Sequence, residues 1–185
     1  MFQITSAFEK RLWIGALVVT AAIYSTLFLG RPLLELFGDQ NIQAILFLTG
    51  MFLVGLVIVI SGVLTQKSKV VFVLYFGILA VYFMLFLRLG LAERSHVIEY
   101  SVLAILIYNA LKERQKNGIK IRALPFVAMM VTFMIGVLDE CLQLVIPDRH
   151  FDFTDILFNG MVIVLAILSS LFIYWLRGLL FKRDH

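Results

Sequence analysis

Ionisable and amide side chains gather in two stretches of an otherwise apolar chain. The first stretch lies around His96, and the second runs from Asp139 to Asn159. Carboxylates and a histidine are ligands for divalent cations, and they can also act as general acids or bases. Arg149, in the second stretch, offers a permanent positive charge for an anionic group. Ion binding, head-group binding and proton transfer are therefore the chemistries that these residues suggest.

Helical spacing would place these residues on shared faces. Side chains three and four positions apart lie on one face of an α-helix. The sets with this spacing are Asp139 with Gln143, Asp155 with Asn159, and His96 with Glu99 and Tyr100. Pro147 is expected to end the helix that carries Asp139. Three helices would thus each present one polar face.

Six apolar segments must position these faces. Hydrophobic residues make up 62% of the 185 residues, which excludes an ordinary soluble domain. A membrane-spanning helix needs ~20 apolar residues. The segments run over roughly 12–29, 42–64, 70–87, 96–111, 124–146 and 154–176. We therefore predict an all-α, multi-pass bundle of six transmembrane helices in the bacterial cytoplasmic (inner) membrane, with the lipid bilayer as its first partner.

The basic residues predict the orientation of this bundle. Most of the 16 Lys and Arg residues lie at the N-terminus, at the C-terminus, and in the loops after the second and fourth segments. The positive-inside rule then places both termini in the cytoplasm. Because the basic residues are sorted by loop, the net charge of +4 does not indicate a nucleic-acid partner. Most of the acidic residues fall on the opposite, extracytoplasmic side.

The polar groups would lie just inside the outer leaflet. A rise of 1.5 Å per residue puts Glu99 roughly 20 Å above Lys112, hence ~10 Å below the outer boundary of a ~30 Å hydrocarbon core. The same count places His96, Asp139, Glu140 and Asn159 slightly higher. Ionisable groups at such depth are costly, so they are functional candidates. Glu99, Asp139, Glu140 and Asp155 are the candidate ligands of a divalent cation.

Structural interpretations compete with each functional one. Asp152 and Asp155 fit the N-cap and third position of the last helix. Arg149 could serve only to neutralise a neighbouring carboxylate. Gln143 and Asn159 could be simple interhelical hydrogen-bonding residues. The spacing of the acidic residues matches no specific metal motif, and the sequence leaves these alternatives open.

Three motifs within Leu87–Ala166 resemble the VanZ-like membrane protein family. They are His96-Val-Ile-Glu-Tyr100, Asp139-Glu140-Cys-Leu-Gln143 followed by Pro147 and Arg149, and Asp155-Ile-Leu-Phe-Asn159. Two departures are Glu93-Arg94-Ser95 before the histidine, where the family often has Asp-Lys, and Val162 where a glycine is common. The resemblance implies a four-helix core over 70–185, preceded by a pair of added helices over 1–69. It also implies an association with resistance to the glycopeptide teicoplanin.

Three functions follow as hypotheses. The first is an acidic extracytoplasmic pocket that binds a cell-envelope amphiphile, either a lipid-linked precursor or a glycopeptide antibiotic, through a cationic or metal-bridged head group. Its ligand-binding residues would be His96, Glu99, Tyr100, Asp139, Glu140, Gln143, Arg149, Asp155 and Asn159. The second is a metal-assisted hydrolase or transferase acting on a lipid-linked head group, with His96 and Glu99 as candidate catalytic residues. The third is a structural interaction protein.

Overall fold

The computed structural model describes residues 4–36, 77, 91–147 and 151–181, and within them every regular element is an α-helix. The helices are α1 (Ala7–Leu36), α2 (Leu91–Lys116), α3 (Leu124–Gln143) and α4 (Phe153–Phe181). The first, fourth and sixth predicted segments lie within α1, α2 and α4, and α3 covers the fifth except for its last three residues. The predicted segments 42–64 and 70–87 lie outside the described residues. The all-α prediction is confirmed, and the count of six helices stays a prediction.

The limits of α3 differ from the expected ones for local reasons. The helix begins after Ala123, whose φ of 48° is left-handed, and Pro125 lies in its first turn, where a missing N–H costs nothing. It ends at Gln143, earlier than the predicted residue 146. The N–H groups of residues 144–146 instead donate to carbonyls three positions back. Such tighter bonds satisfy the last carbonyls of a helix, and a residue before proline is disfavoured in the α conformation.

The two faces of α3 have opposite characters. Its buried residues are mostly small or polar: Leu124, Ala128, Thr132, Gly136, Asp139, Glu140 and Gln143. Its large apolar side chains are exposed, among them Phe126, Met130, Met134 and Leu138. Water would penalise that exposed stripe, whereas lipid tails would not. Small residues inside and large apolar residues outside are typical of helices packed within a membrane.

The chain divides into two compact units, Met1–Phe28 with Gly90–Ser170, and Leu29–Leu89 with Leu171–His185. All contacts described below lie within the first unit. Its core is made by α2, whose Tyr100, Leu103 and Ile107 are almost fully buried. At Gly136, a Cβ atom would lie 3.2 Å from Cε1 of Tyr100 and 3.7 Å from Cβ of Asn159. The absence of a side chain there lets α3 approach both α2 and α4.

Three of the described helices are long and apolar enough to cross a membrane. They contain Ala7–Phe28, Leu124–Gln143 and Phe153–Trp175. The predicted span 96–111 lies in α2, which is not among the three and carries His96 and Glu99 near its start and a charged last turn. Its membrane crossing therefore stays a prediction. The three apolar helices support a membrane protein.

A buried carboxylate joins the start of α1 to the end of α2. Glu9 is fully buried and accepts hydrogen bonds from the backbone N–H and the hydroxyl of Thr5, at 2.7 and 2.6 Å, and from Nε1 of Trp13 at 3.2 Å. Nη1 of Arg114 lies 3.1 Å from Oε1 of Glu9 and forms an ion pair with it. Every one of these donors favours the charged carboxylate. The cluster fixes two helix ends that are far apart in sequence.

We expect Arg114→Ala to lower the free energy of unfolding by about 2 kcal/mol, because hydrogen bonds to charged groups contribute roughly that much. The measurement is reversible unfolding in mixed detergent micelles. Lys116→Ala is the matched control, because its ion pair with Glu113 is 3.9 Å long and Lys116 is 77% exposed. An exposed pair should contribute less than about 1 kcal/mol. Equal losses in the two variants would contradict a structural role for the Glu9 cluster.

Candidate functional site

The end of α3 is joined to α2 by a buried hydrogen bond. The hydroxyl of Tyr100 donates to Oδ2 of Asp139 over 3.0 Å. Tyr100 is fully buried, and Asp139 is 1% exposed. A buried carboxylate oxygen needs a donor, since it has lost its hydration. The sequence predicted both residues for the site but not the bond between them.

Glu140, the next residue of α3, is also fully buried. Its Oε1 accepts a hydrogen bond from Nε2 of Gln143 at 2.8 Å, and its Oε2 accepts one from the backbone N–H of Asp152 at 3.5 Å. Both donors are neutral, and the second bond is at the long limit. Within the described part of the chain, Glu140 has no ion pair. Gln143 therefore pairs with Glu140 rather than serving only as an interhelical link.

The turn before α4 carries a further carboxylate, that of Asp152. Oδ1 of Asp152 accepts a hydrogen bond from the backbone N–H of Thr154 at 2.7 Å, which is the N-cap geometry. This backbone hydrogen bond holds the pKa of the exposed Asp152 carboxyl below its usual value. The N-cap interpretation of Asp152 fits this contact. Its own N–H points to Glu140, not to Asp155 as a capping box would require.

His96 lies on α2 beside Tyr100 and close to Glu140. Its ring stacks on that of Tyr100, with centroids 5.9 Å apart and an interplanar angle of 10°. One ligand atom each from His96, Glu140 and Asp155 lie within 4.8 Å of one another. The three residues come from α2, α3 and α4. A nitrogen and two carboxylate oxygens that converge in this way can hold a metal ion.

The negative charges divide into two neighbouring groups. Glu140 lies within electrostatic range of Asp139, Asp152 and Asp155. Glu99, which is half-buried, interacts electrostatically with Asp139. Of the four predicted metal candidates, Glu140 and Asp155 therefore meet at His96, whereas Glu99 and Asp139 form the adjoining pair. Like charges so close together disfavour one another unless a cation or a proton offsets them.

Asn159 lies deeper in the same bundle end. It is 1% exposed, and neither its Oδ1 nor its Nδ2 has a hydrogen-bond partner among the described residues. It follows Asp155 by one turn and so shares its face of α4. A buried carboxamide without partners costs roughly 1–3 kcal/mol. The sequence analysis offered a simple interhelical hydrogen bond as one role for Asn159, and no such bond forms among the described residues.

The structure thus brings eight of the nine predicted binding residues to one end of the bundle. They are His96, Glu99, Tyr100, Asp139, Glu140, Gln143, Asp155 and Asn159. Arg149 lies outside the described residues. Sequence reasoning missed Gly136, whose lack of a side chain lets Tyr100 and Asn159 approach α3. It also missed the Glu9 cluster, although Ser6-x-x-Glu9 before an apolar run has the pattern of a capping box.

A family model described as VanZ/LLP1 matches residues 33–176, well over half of the chain. The matched range contains every predicted site residue and extends further toward the N-terminus than the three motifs. No curated protein and no solved structure matches the chain. The division at residue 69 into added helices and core stays a prediction.

The hydrogen bond between Tyr100 and Asp139 can be measured by a double-mutant cycle of Tyr100→Phe and Asp139→Asn. We expect Tyr100→Phe alone to lower the free energy of unfolding by about 1–3 kcal/mol, because it leaves a buried carboxylate oxygen without its donor. The two changes should be non-additive by a similar amount. Additive effects would mean that the bond contributes nothing.

Proposed function

Because the chain belongs to the VanZ/LLP1 family, we propose that it is a multi-pass protein of the bacterial cytoplasmic membrane that binds a cell-envelope amphiphile. The binding site is the helix-end pocket formed by His96, Glu99, Asp139, Glu140 and Asp155. One observation carries the proposal. Two consecutive, almost fully buried carboxylates, Asp139 and Glu140, lie in the last turns of one helix and face three further ionisable groups.

The chemistry of the pocket selects the ligand class. Its described side chains carry an excess of negative charge, so a ligand must bring positive charge, either its own or that of a bound metal ion. The exposed apolar faces of the neighbouring helices suit an acyl or polyprenyl chain. A lipid-linked envelope precursor and a lipophilic glycopeptide such as teicoplanin both combine a polar head with an apolar tail. Arg149 would contact an anionic part of that head.

The orientation of the bundle decides from which side a ligand enters. We propose six spans with both termini in the cytoplasm, as the distribution of Lys and Arg indicates. The pocket then opens toward the extracytoplasmic side, at the ends of α3 and α4. Envelope precursors and externally added antibiotics would both reach it there.

This orientation can be tested with single cysteines placed at opposite ends of α3. In a Cys141→Ser background, Val145→Cys should react with a membrane-impermeant maleimide added to intact spheroplasts. Lys120→Cys should react only after the membrane is permeabilised. Both positions are exposed and lie outside the helices, so their intrinsic reactivities are comparable. Labelling of Lys120→Cys from outside would invert the proposed topology.

Ligand binding can be tested by removing charge while keeping side-chain shape. We expect Glu99→Gln and Asp155→Asn each to weaken binding of the lipid-linked precursor or of teicoplanin at least ~10-fold, since each removes an ionic contact in a site poor in water. The measurement is direct binding to purified protein in detergent, beside antibiotic susceptibility of cells that express it. The matched control is Asp152→Asn, which preserves an N-cap residue.

The structural hypothesis predicts a different outcome for the same variants. If the pocket only joins helix ends, Glu99→Gln and Asp155→Asn should lower thermal stability and leave binding and susceptibility as in the parent. Binding that is unchanged in both variants, at equal protein levels, would refute the proposed function.

A metal-assisted hydrolase or transferase is the second candidate function. It is favoured by the convergence of His96, Glu140 and Asp155, because a bound metal ion can activate a water molecule. Formation of product from a lipid-linked substrate, abolished by a chelator, would distinguish it from a binding protein.

A further inference from the structure

We propose that His96, Glu140 and Asp155 bind one divalent transition-metal ion, with Zn²⁺ as the probe of choice. This inference rests on the proposed function, because the ion would be the positive charge through which the pocket holds a phosphate or carboxylate of the amphiphile. It names a metal site and a class of head group. The metal site itself can be tested without any amphiphile.

The geometry of the donor atoms is close to that of a metal site. Ligand atoms of the three residues lie within 4.8 Å of one another. In a tetrahedral zinc site with bonds of ~2.0–2.1 Å, ligand atoms are separated by roughly 3.3 Å. Side-chain movements of about 1 Å would therefore close the site.

Glu140 keeps a coordinating position available. Glu140 uses one oxygen for Gln143 at 2.8 Å and only a long contact of 3.5 Å for the other. A carboxylate has about four lone-pair positions, so metal coordination can coexist with both bonds. The stack against Tyr100 fixes the plane of the His96 ring. Such support of a ligand by its neighbours is typical of metal sites.

Charge favours a cation at Glu140 more than at the other fully buried glutamate, Glu9. Glu140 is fully buried, its described donors are neutral, and three further carboxylates act on it. A bound divalent ion would offset two of these negative charges and so relieve their repulsion. The carboxylate of Glu9, by contrast, already has Arg114 as its ion-pair partner.

Asn159 provides a second, independent observation. Its carboxamide is 1% exposed and has no hydrogen-bond partner among the described residues, and it lies one turn below Asp155 on the same helix face. A group of this kind can accept the hydrogen of a metal-bound water or donate to an oxygen of the head group. Either contact would explain why a polar amide occupies a buried position in which an apolar side chain would cost less free energy.

The donor set also selects the class of ion. Imidazole nitrogen suits zinc and related transition metals, whereas magnesium and calcium prefer sites made of oxygen alone. Three protein ligands leave a coordination position open in a tetrahedral site. An anionic oxygen of an envelope amphiphile fits that position. The lipid-linked precursor, with its phosphate groups, is thus a better match than a purely cationic head.

The experiment is a zinc titration of the full chain, purified in detergent and stripped with a chelator. In competition with a chromophoric chelator, we expect one equivalent of Zn²⁺ per chain. Glu140→Gln and Asp155→Asn should each weaken binding at least ~10-fold, because each removes a metal ligand. Asp152→Asn, which changes an exposed acid that is not one of the three ligands, should weaken binding much less than either ligand variant. Equal affinity in all four proteins would overturn the proposal.

A second measurement keeps the test decisive if Glu140→Gln does not fold. X-ray absorption at the zinc edge of the parent protein should show one imidazole nitrogen and two or more oxygen ligands, and His96→Gln should remove the imidazole signal. Persistence of that signal in His96→Gln would place the zinc at another histidine and refute the site. Sulfur in the first coordination shell would refute it as well.

Measurements of amphiphile binding distinguish a failure of the proposed metal contact from a failure of the proposed function. If precursor binding survives the chelator yet is lost in Asp155→Asn, the bound ion is refuted as the contact to the head group and the binding function stands. If Zn²⁺ binds as expected but neither precursor nor teicoplanin binds, the metal site stands and the proposed function is refuted.

Discussion

Burial of two adjacent carboxylates at the end of α3 is the constraint on which the proposed helix-end pocket depends. Asp139 and Glu140 have lost nearly all contact with solvent, and their hydrogen-bond donors come from α2, from α3 and from the turn before α4. No single helix could supply those donors. The convergence of three helix ends is therefore a condition for burying these acids, and Gly136 provides the space for it. A polar site and a close-packed helix junction are here the same feature.

The opposite end of the bundle shows how this protein stabilises a buried carboxylate when the role is structural. Glu9 has four donors, of which one is the guanidinium of Arg114, and all but the Trp13 contact are 3.1 Å or shorter. Glu140 has two neutral donors within the described residues, and one of them is at 3.5 Å. The two sites share a residue type and a degree of burial but differ in how fully the charge is compensated. That difference argues that something beyond the described side chains completes the environment of Glu140.

Sequence reasoning reached the pocket through helical periodicity and the cost of burying charge. Both are local properties, so the shared face of Asp155 and Asn159 and the N-cap at Asp152 could be predicted. The pairing of Tyr100 with Asp139, and the choice of His96 as the meeting point of Glu140 and Asp155, depend on how three helices rotate against one another. The sequence does not encode those rotations in any single motif. The end of α3 was predicted too late for a different, local reason, because its last carbonyls are satisfied by a tighter turn that periodicity cannot distinguish from helix.

The direction of the helix dipoles is a further argument against a purely stabilising role for Asp139 and Glu140. The N-terminal end of a helix favours anions and the C-terminal end disfavours them. Asp155 lies in the first turn of α4 and gains from this effect, whereas Asp139 and Glu140 lie in the last turns of α3 and oppose it. Two acids at an unfavourable helix end, both removed from water, raise the energy of the folded protein. Leucine or glutamine would fill the same volume at lower cost. A positively charged partner reverses the balance, because the C-terminal carbonyls of α3 then add to the attraction that the carboxylates exert on it.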